Sequence, residues 1–565
     1  MGSKCGHWFA CVVVSVLAGC SATNNGRDGA GGANDAQGSD STANNGSDSG
    51  SDLGLDSIDT VDPLDGATDT DTAVPPDDVP VGVDAPAPDV APLLPVVDIL
   101  GPGAPSDAPT RFGGSPDANR DPSLVYPDDG TIIPYNLSGF EIHFMPGTGN
   151  DLYRLTLVGP GTTVNIYTTC TPVGGGCVYS FDDTNFETIA RAAQTASQLT
   201  LTVSGTSAAG GSVGTSAART LGVTSQGIRG GIYYWAAGST AVVRYEFGLP
   251  GAHRENYMAG STFNCIGCHA LARDGSRIGI GRFGFGFTLQ TYDTAPRTAI
   301  GGTMNASFGS YSPDNARLLG SDGARLTLYD TATGTPATGL SGSPVGSMPD
   351  WSPDGAHAVY SQPASPPGSF VSQPGHTGAA DLMVMDWSGT AFGAARTVFT
   401  SSGENNFYPA FSPDNQWIIF NRATGTSFNN PAASLWAVPA AGGTGVHLAA
   451  ADLTGMHTNS WPKWAPFQQV HRGGPLMWFT FSTVRPYGLR GGASAQLWMA
   501  AFRPGMAATD PSVPAFWLPF QDFSTGNHIA QWTAQVRRTT CQVNSDCGPN
   551  EHCLSITAQG VCVGN

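Results

Sequence analysis

Charge is scarce in this chain: Asp, Glu, Lys and Arg make up only 12% of its 565 residues. The 25 Lys and Arg form no patch or run, which removes the electrostatic footprint of a nucleic-acid binder. Long apolar runs are missing too. The one near the N-terminus, Trp8 to Leu17, is too short to span a bilayer and suits a secretory signal over residues 1–19. No long stretch repeats its apolar residues every 3.6 positions, which argues against a helical bundle. There is no phosphate-cradling glycine loop. Gly210-Gly-Ser212-Val-Gly214 spells a hydrolase elbow, but it lies in a Ser/Gly/Ala loop with no strand before it and no helix after it. Enzyme signatures are otherwise poor, and the reading leans away from a catalyst without settling the point.

The charge that exists is uneven. Residues 21–95 hold fifteen Asp against the single Arg27, a charge of −14 out of −19, so only −5 belongs to the rest. Almost nothing in this stretch could be buried, so 20–110 reads as a Ser/Gly/Asn/Asp/Pro tether kept extended by its own repulsion. Asp59, Asp62, Asp65 and Gly66 have the wrong spacing for a calcium loop.

What is abundant is Gly (75) and Pro (42), punctuating short alternating runs. That pattern predicts an all-β fold. Over 117–225 the runs include Phe140-Glu-Ile-His-Phe144, Tyr153-Arg-Leu-Thr-Leu-Val158, Val164-Asn-Ile-Tyr167 and Leu199-Thr-Leu-Thr-Val203. Their spacing resembles an immunoglobulin or fibronectin type III β-sandwich. Beyond it a motif repeats: Tyr311-Ser-Pro-Asp-Asn315, Trp351-Ser-Pro-Asp-Gly355, Phe411-Ser-Pro-Asp-Asn415 and a worn Trp464-Ala-Pro466. Pro opens a tight turn, Asp caps it, and Gly or Asn takes the left-handed position. This motif resembles the TolB-type propeller repeat and implies about six blades over 230–537. Leu271-Ala-Arg-Asp-Gly275 aligns with it, which puts Cys268 where Met348, Tyr408 and Trp461 stand, and His269 where Pro349, Pro409 and Pro462 stand. The resemblance places these positions where chains enter their innermost strands, near the central channel. A sixth blade starts at His528-Ile-Ala-Gln-Trp532. Its outer strands are either Ile232-Tyr-Tyr-Trp235 and Val242-Val-Arg-Tyr-Glu-Phe247, or those runs form the last hairpin of the sandwich.

Eleven cysteines complete the picture. Leu17-Ala18-Gly19-Cys20 resembles the bacterial lipoprotein box, which implies lipidation of Cys20, a membrane held through that anchor, and an exported protein of the cell envelope; Ser21 favours the outer membrane. Cys170 and Cys177 bracket a glycine turn and suit a local disulfide. Cys541, Cys547, Cys553 and Cys562 read as a two-disulfide tail over 538–565 with three possible connectivities. Cys265-Ile-Gly-Cys268-His269 spells C-x-x-C-H, the attachment motif of haem c, with His269 as the proximal iron ligand. His528, His457, Met348 and Met304 are the options for the distal position. A Cys265–Cys268 disulfide and a zinc site compete with haem, although no further ligands for zinc lie nearby. The expectation is therefore a haem-bearing envelope propeller for electron transfer or redox sensing. The alternative is a non-catalytic propeller that binds an envelope protein or glycan, with Cys265 and Cys268 as a structural disulfide.

Overall fold

The computed structural model describes residues 93–564 except 194–196, 250–253, 260–264, 285, 365–377, 428, 454, 456–457, 493, 506–508, 549–550 and 556–559, with backbone only at 265–267, 282–284 and 286–287. The signal, Cys20, the tether up to residue 92, His457 and the side chain of Cys265 thus lie outside the described residues; the last part of the expected tether is instead folded, because Val96–Leu100 pairs as a parallel strand with Thr163–Thr169 and Ala108–Phe112 forms a 3-10 helix.

The chain is all-β. Its first part is a sandwich: a seven-stranded sheet faces a four-stranded one built from Ser123–Tyr126, Glu141–Met145, Gly176–Ser180 and Thr171–Val173. Leu155, Leu157, Val164, Ile166, Leu199 and Leu201 fill the space behind the larger sheet, as strand alternation requires. Cys170 and Cys177 are bonded across their turn. One helix, Asp183–Ala193, departs from the expected pattern. Phe186, Ile189, Ala190 and Ala193 line one apolar face over three turns, with Ala192 buried beside it, and the Asp182 carboxylate accepts from the Asn185 amide at its start.

Six blades follow. Their innermost strands are Cys265–Leu271, Phe308–Tyr311, Ser347–Trp351, Asn405–Phe411, Ser460–His471 and Asn527–Thr533. The repeated turns work as their residues dictate. In the second blade the Asp314 carboxylate accepts from Ser312 Oγ and the Ala316 amide, and Asn315 adopts φ +59°. Gly275 and Gly355 take the same left-handed place at φ +74° and +75°. The sixth blade settles the ownership of the 231–246 hairpin. Asn527–Thr533 pairs antiparallel with Gly231–Ala236, which pairs with Ala241–Glu246 and then Glu255–Ala259. The ring is closed by its last strand joining its first three.

The sandwich and the ring share one hydrophobic core, running from Leu155 and Phe140 through Tyr234 to Trp478 and Trp498. A polar seam accompanies it. The Leu489 amide donates to His143 Nδ1 (3.1 Å), His143 Nε2 donates to Glu141 (2.9 Å), and Arg490 completes the carboxylate's shell at 2.9 Å. The tail docks on the outer edge of the sixth blade with disulfides Cys541–Cys553 and Cys547–Cys562. Buried Glu255 sits at this junction between Arg244 and Arg538 and accepts from the Gly564 amide.

Burial opposes ionisation of Glu255, but Arg244 and Arg538 outweigh it and bring its pKa down to about 2. Glu141 is likewise penalised by burial and then drawn down to about 2 by His143 and Arg490. Both carboxyls are depressed from an ordinary 4.5. Their stabilisation is therefore complete above that pH and is lost as pH falls toward 2, by about 3 kcal/mol each. The urea midpoint should drop between neutral pH and about pH 3, and Glu255→Gln should remove roughly half of that slope. A midpoint flat across this window would contradict the assignment.

Candidate functional site

The central channel is built from equivalent positions of the six innermost strands. Each strand carries a large residue at the position equivalent to the start of the turn motif: Leu271, Tyr311, Trp351, Phe411, Trp464 or Trp532. Three residues earlier stand Cys268, Phe308, Met348, Tyr408, Trp461 and Ile529. The last five belong to one buried cluster, and Cys268 and Trp235 pack against it. Five of the six strand pairs have a register irregularity at this point. Met348, Tyr408, Trp461 and Ile529 adopt φ between +49° and +56° there. Left-handed backbone is costly for bulky and β-branched residues. Repeating it in four blades turns four side chains onto the axis.

The result is a chain of rings. Phe308 lies 6.3 Å from Tyr408, Tyr408 stacks on Trp461 at 4.3 Å, Trp461 lies 6.3 Å from His528, and His528 lies 5.8 Å from Trp235. Tyr408 Oη, Trp235 Nε1 and His528 Nδ1 are shielded from solvent and find no hydrogen-bond partner among the described residues. Burial pushes the Cys268 thiol up to about 12, so it is a thiol and not a thiolate at neutral pH. Burial pushes His528 down to about 4, which keeps its imidazole neutral.

Cys268 carries a free thiol, and it is the only free cysteine among the described residues. His269 is buried elsewhere. Its Nε2 donates to the Tyr233 carbonyl at 3.1 Å, joining the first blade to the sixth. Met304 lies in the core between the first two blades, while Met348 Sδ accepts from the Tyr408 amide at 3.3 Å. In donor type the Cys268 thiol and the shielded His528 nitrogen suit a haem, while the axial side chains are closely packed on one another, Tyr408 on Trp461 at 4.3 Å, and the His269 Nε2 is already engaged.

Two residues beyond Met348 and Trp461 on the same strands, Asp350 and Lys463 belong to a second constellation that the sequence reading passed over. Asp350 Oδ1 accepts from Lys463 Nζ at 2.8 Å, and Oδ2 accepts from Arg273 at 3.1 Å and from the Phe411 amide at 2.9 Å. Four blades meet on this one carboxylate, beside a cavity of about 40 Å³ walled by Trp464 and Trp532. Burial works against its ionisation, but Lys463 and Arg273 prevail and hold it below the usual carboxylate range. Two signals were available in the sequence. Lys463 and Lys4 are the only lysines in 565 residues, and Arg273 replaces the proline of the turn motif.

No protein-family model and no curated protein matches the chain. Among solved structures it is similar to a putative TolB from Agrobacterium tumefaciens, at 16% identity over 54% of this chain and 99% of that one, TM-score 0.31. It is similar to TolB from Acinetobacter baumannii at 13% identity over 76% and 98%, TM-score 0.33. It is also similar to Kuenenia stuttgartiensis hydrazine synthase at 14% identity over 44% and 71%, TM-score 0.30. Scores of this size carry no argument about the site.

Proposed function

We propose that this is an exported, lipid-anchored envelope protein whose propeller channel carries a c-type haem bonded to Cys265 and Cys268, for electron transfer or redox sensing. The observation that supports it is the free Cys268 against an axial aromatic cluster, beside a His528 ring nitrogen that has no partner among the described residues. A bound haem would supply one-electron chemistry. The protein's own part is to hold it by two thiols and to keep water away with Phe308, Tyr408, Trp461 and Trp235. A dry, aromatic surround is a lever on reduction potential.

Protein made in a host that matures c-type cytochromes should show a Soret band that survives denaturation. Cys265→Ser with Cys268→Ser should abolish it, and the mass of the mature chain should include both the haem and the acyl chains on Cys20. A mature chain with Cys265 and Cys268 bonded only to each other would end this reading. The second reading would then stand: a binding or scaffolding propeller for an envelope protein or glycan. It draws on the partly exposed Arg273 and Lys463 that pair with Asp350.

A further inference from the structure

Two residues beyond Cys268, Phe308, Met348, Tyr408, Trp461 and Ile529, on the same innermost strands, stand Ala270, Ser310, Asp350, Ala410, Lys463 and Gln531. The last five, together with Arg273, line the one cavity of about 40 Å³. That space holds roughly three waters, or a group of three or four heavy atoms.

The charges around it do not balance. Lys463 and Arg273 bring two positive charges, and Asp350 is the only carboxylate that either of them pairs with among the described residues. Both its oxygens are engaged, Oδ1 by Lys463 at 2.8 Å and Oδ2 by Arg273 at 3.1 Å. One positive charge is left over. A partly buried charge is costly unless it is matched, so a surplus cation beside a cavity favours an anion within it. Lys463 and Arg273 keep 21% and 28% of their side-chain surface in solvent, which leaves a way in.

Donors are left over too. An ammonium has three protons and a guanidinium five, and the contacts with Asp350 use one from each. Ser310 Oγ accepts from the Trp351 amide at 2.9 Å and keeps its own proton for donation. Gln531 adds an amide to the same wall, whereas Trp464, Trp532 and Pro466 make the rest of it apolar.

We propose that this cavity binds a small organic monocarboxylate, its carboxylate held by Lys463 and Arg273 and its short apolar part laid against Trp464 and Trp532. A monoanion closes the charge balance, and a dianion overshoots it. A planar carboxylate also matches the parallel N–H pair of a guanidinium. The site does not depend on the haem.

The test is calorimetric titration of the full-length protein, with and without covalent haem, using acetate, propionate, chloride and sulfate at neutral pH and low ionic strength. Acetate and propionate should saturate one site in both preparations and bind more tightly than chloride or sulfate. Lys463→Gln leaves Asp350 paired with Arg273 and should weaken carboxylate binding at least about tenfold. Gln531→Glu removes no ion pair and supplies the missing negative charge from the wall itself; it should abolish carboxylate binding and raise the melting temperature. Absence of saturable binding by the wild type would overturn the proposal. So would equal binding of all the anions, or carboxylate binding unchanged in Gln531→Glu.

Discussion

Asp350→Ala should lower the unfolding free energy by about 3–5 kcal/mol, the largest single-residue loss expected in the ring. The carboxylate is almost fully buried and pairs with Lys463 and Arg273, while the Phe411 amide also donates to it. Removing it strands two cations and one amide in the channel. The cost comes from the stranded charges more than from the lost attraction, since a buried ion cluster gains little over a well-packed apolar one. That distinction can be measured. Adding Lys463→Met and Arg273→Pro to Asp350→Ala should recover most of the lost stability, because Pro is the residue the other turns use at that position. Denaturant midpoints of the single and triple variants decide it. A single variant within about 1 kcal/mol of wild type would mean that water already screens the cluster.

A chain ended at residue 526 should not form the ring at all, whereas one ended at residue 538 should form it and melt at a lower temperature. The strand Asn527–Thr533 is the innermost strand of the sixth blade and the partner of Gly231–Ala236. Trp532 stacks on Phe247 at 5.4 Å, and its Nε1 donates to Thr480 Oγ1 at 3.0 Å, tying the fifth blade to the sixth. Without that strand, Gly231–Ala236 presents a bare edge, with Ile232 and Tyr234 uncovered, which favours aggregation. The longer chain keeps Arg538 on Glu246 and Glu255 and loses only the disulfide tail. Size-exclusion profiles and near-ultraviolet dichroism separate the two. A monomeric, sharply melting 526-residue chain would refute the closure argument.

The blades were legible because their turns are chemically local. Ser, Pro, Asp and Gly or Asn act within five residues, and the turn register carried Cys268, Met348, Tyr408 and Trp461 to one axis. The partner of the 231–246 hairpin was not legible, since its alternating pattern suits a sandwich edge as well as a blade. The Asp350–Lys463 pair spans 113 residues, and no local pattern reports it. The helix at 183–193 escaped because its apolar face covers only three turns. His269 marks the reach of a local spelling: its neighbours in sequence suggest a cofactor, and nothing in them reports that its Nε2 donates to the Tyr233 carbonyl of another blade.

The order of the chain gives the closure a further meaning. Where the chain is threaded N-terminus first into the compartment in which it folds, the residues of the first blade, Cys265 and Cys268 among them, emerge before Asn527–Thr533 is there to seal the wheel. During that interval the future axis is an open cleft, and a group too bulky to enter later can be mounted on it. Arrival of the last strand would then act as a cap, so a bulky occupant has to be installed early or not at all.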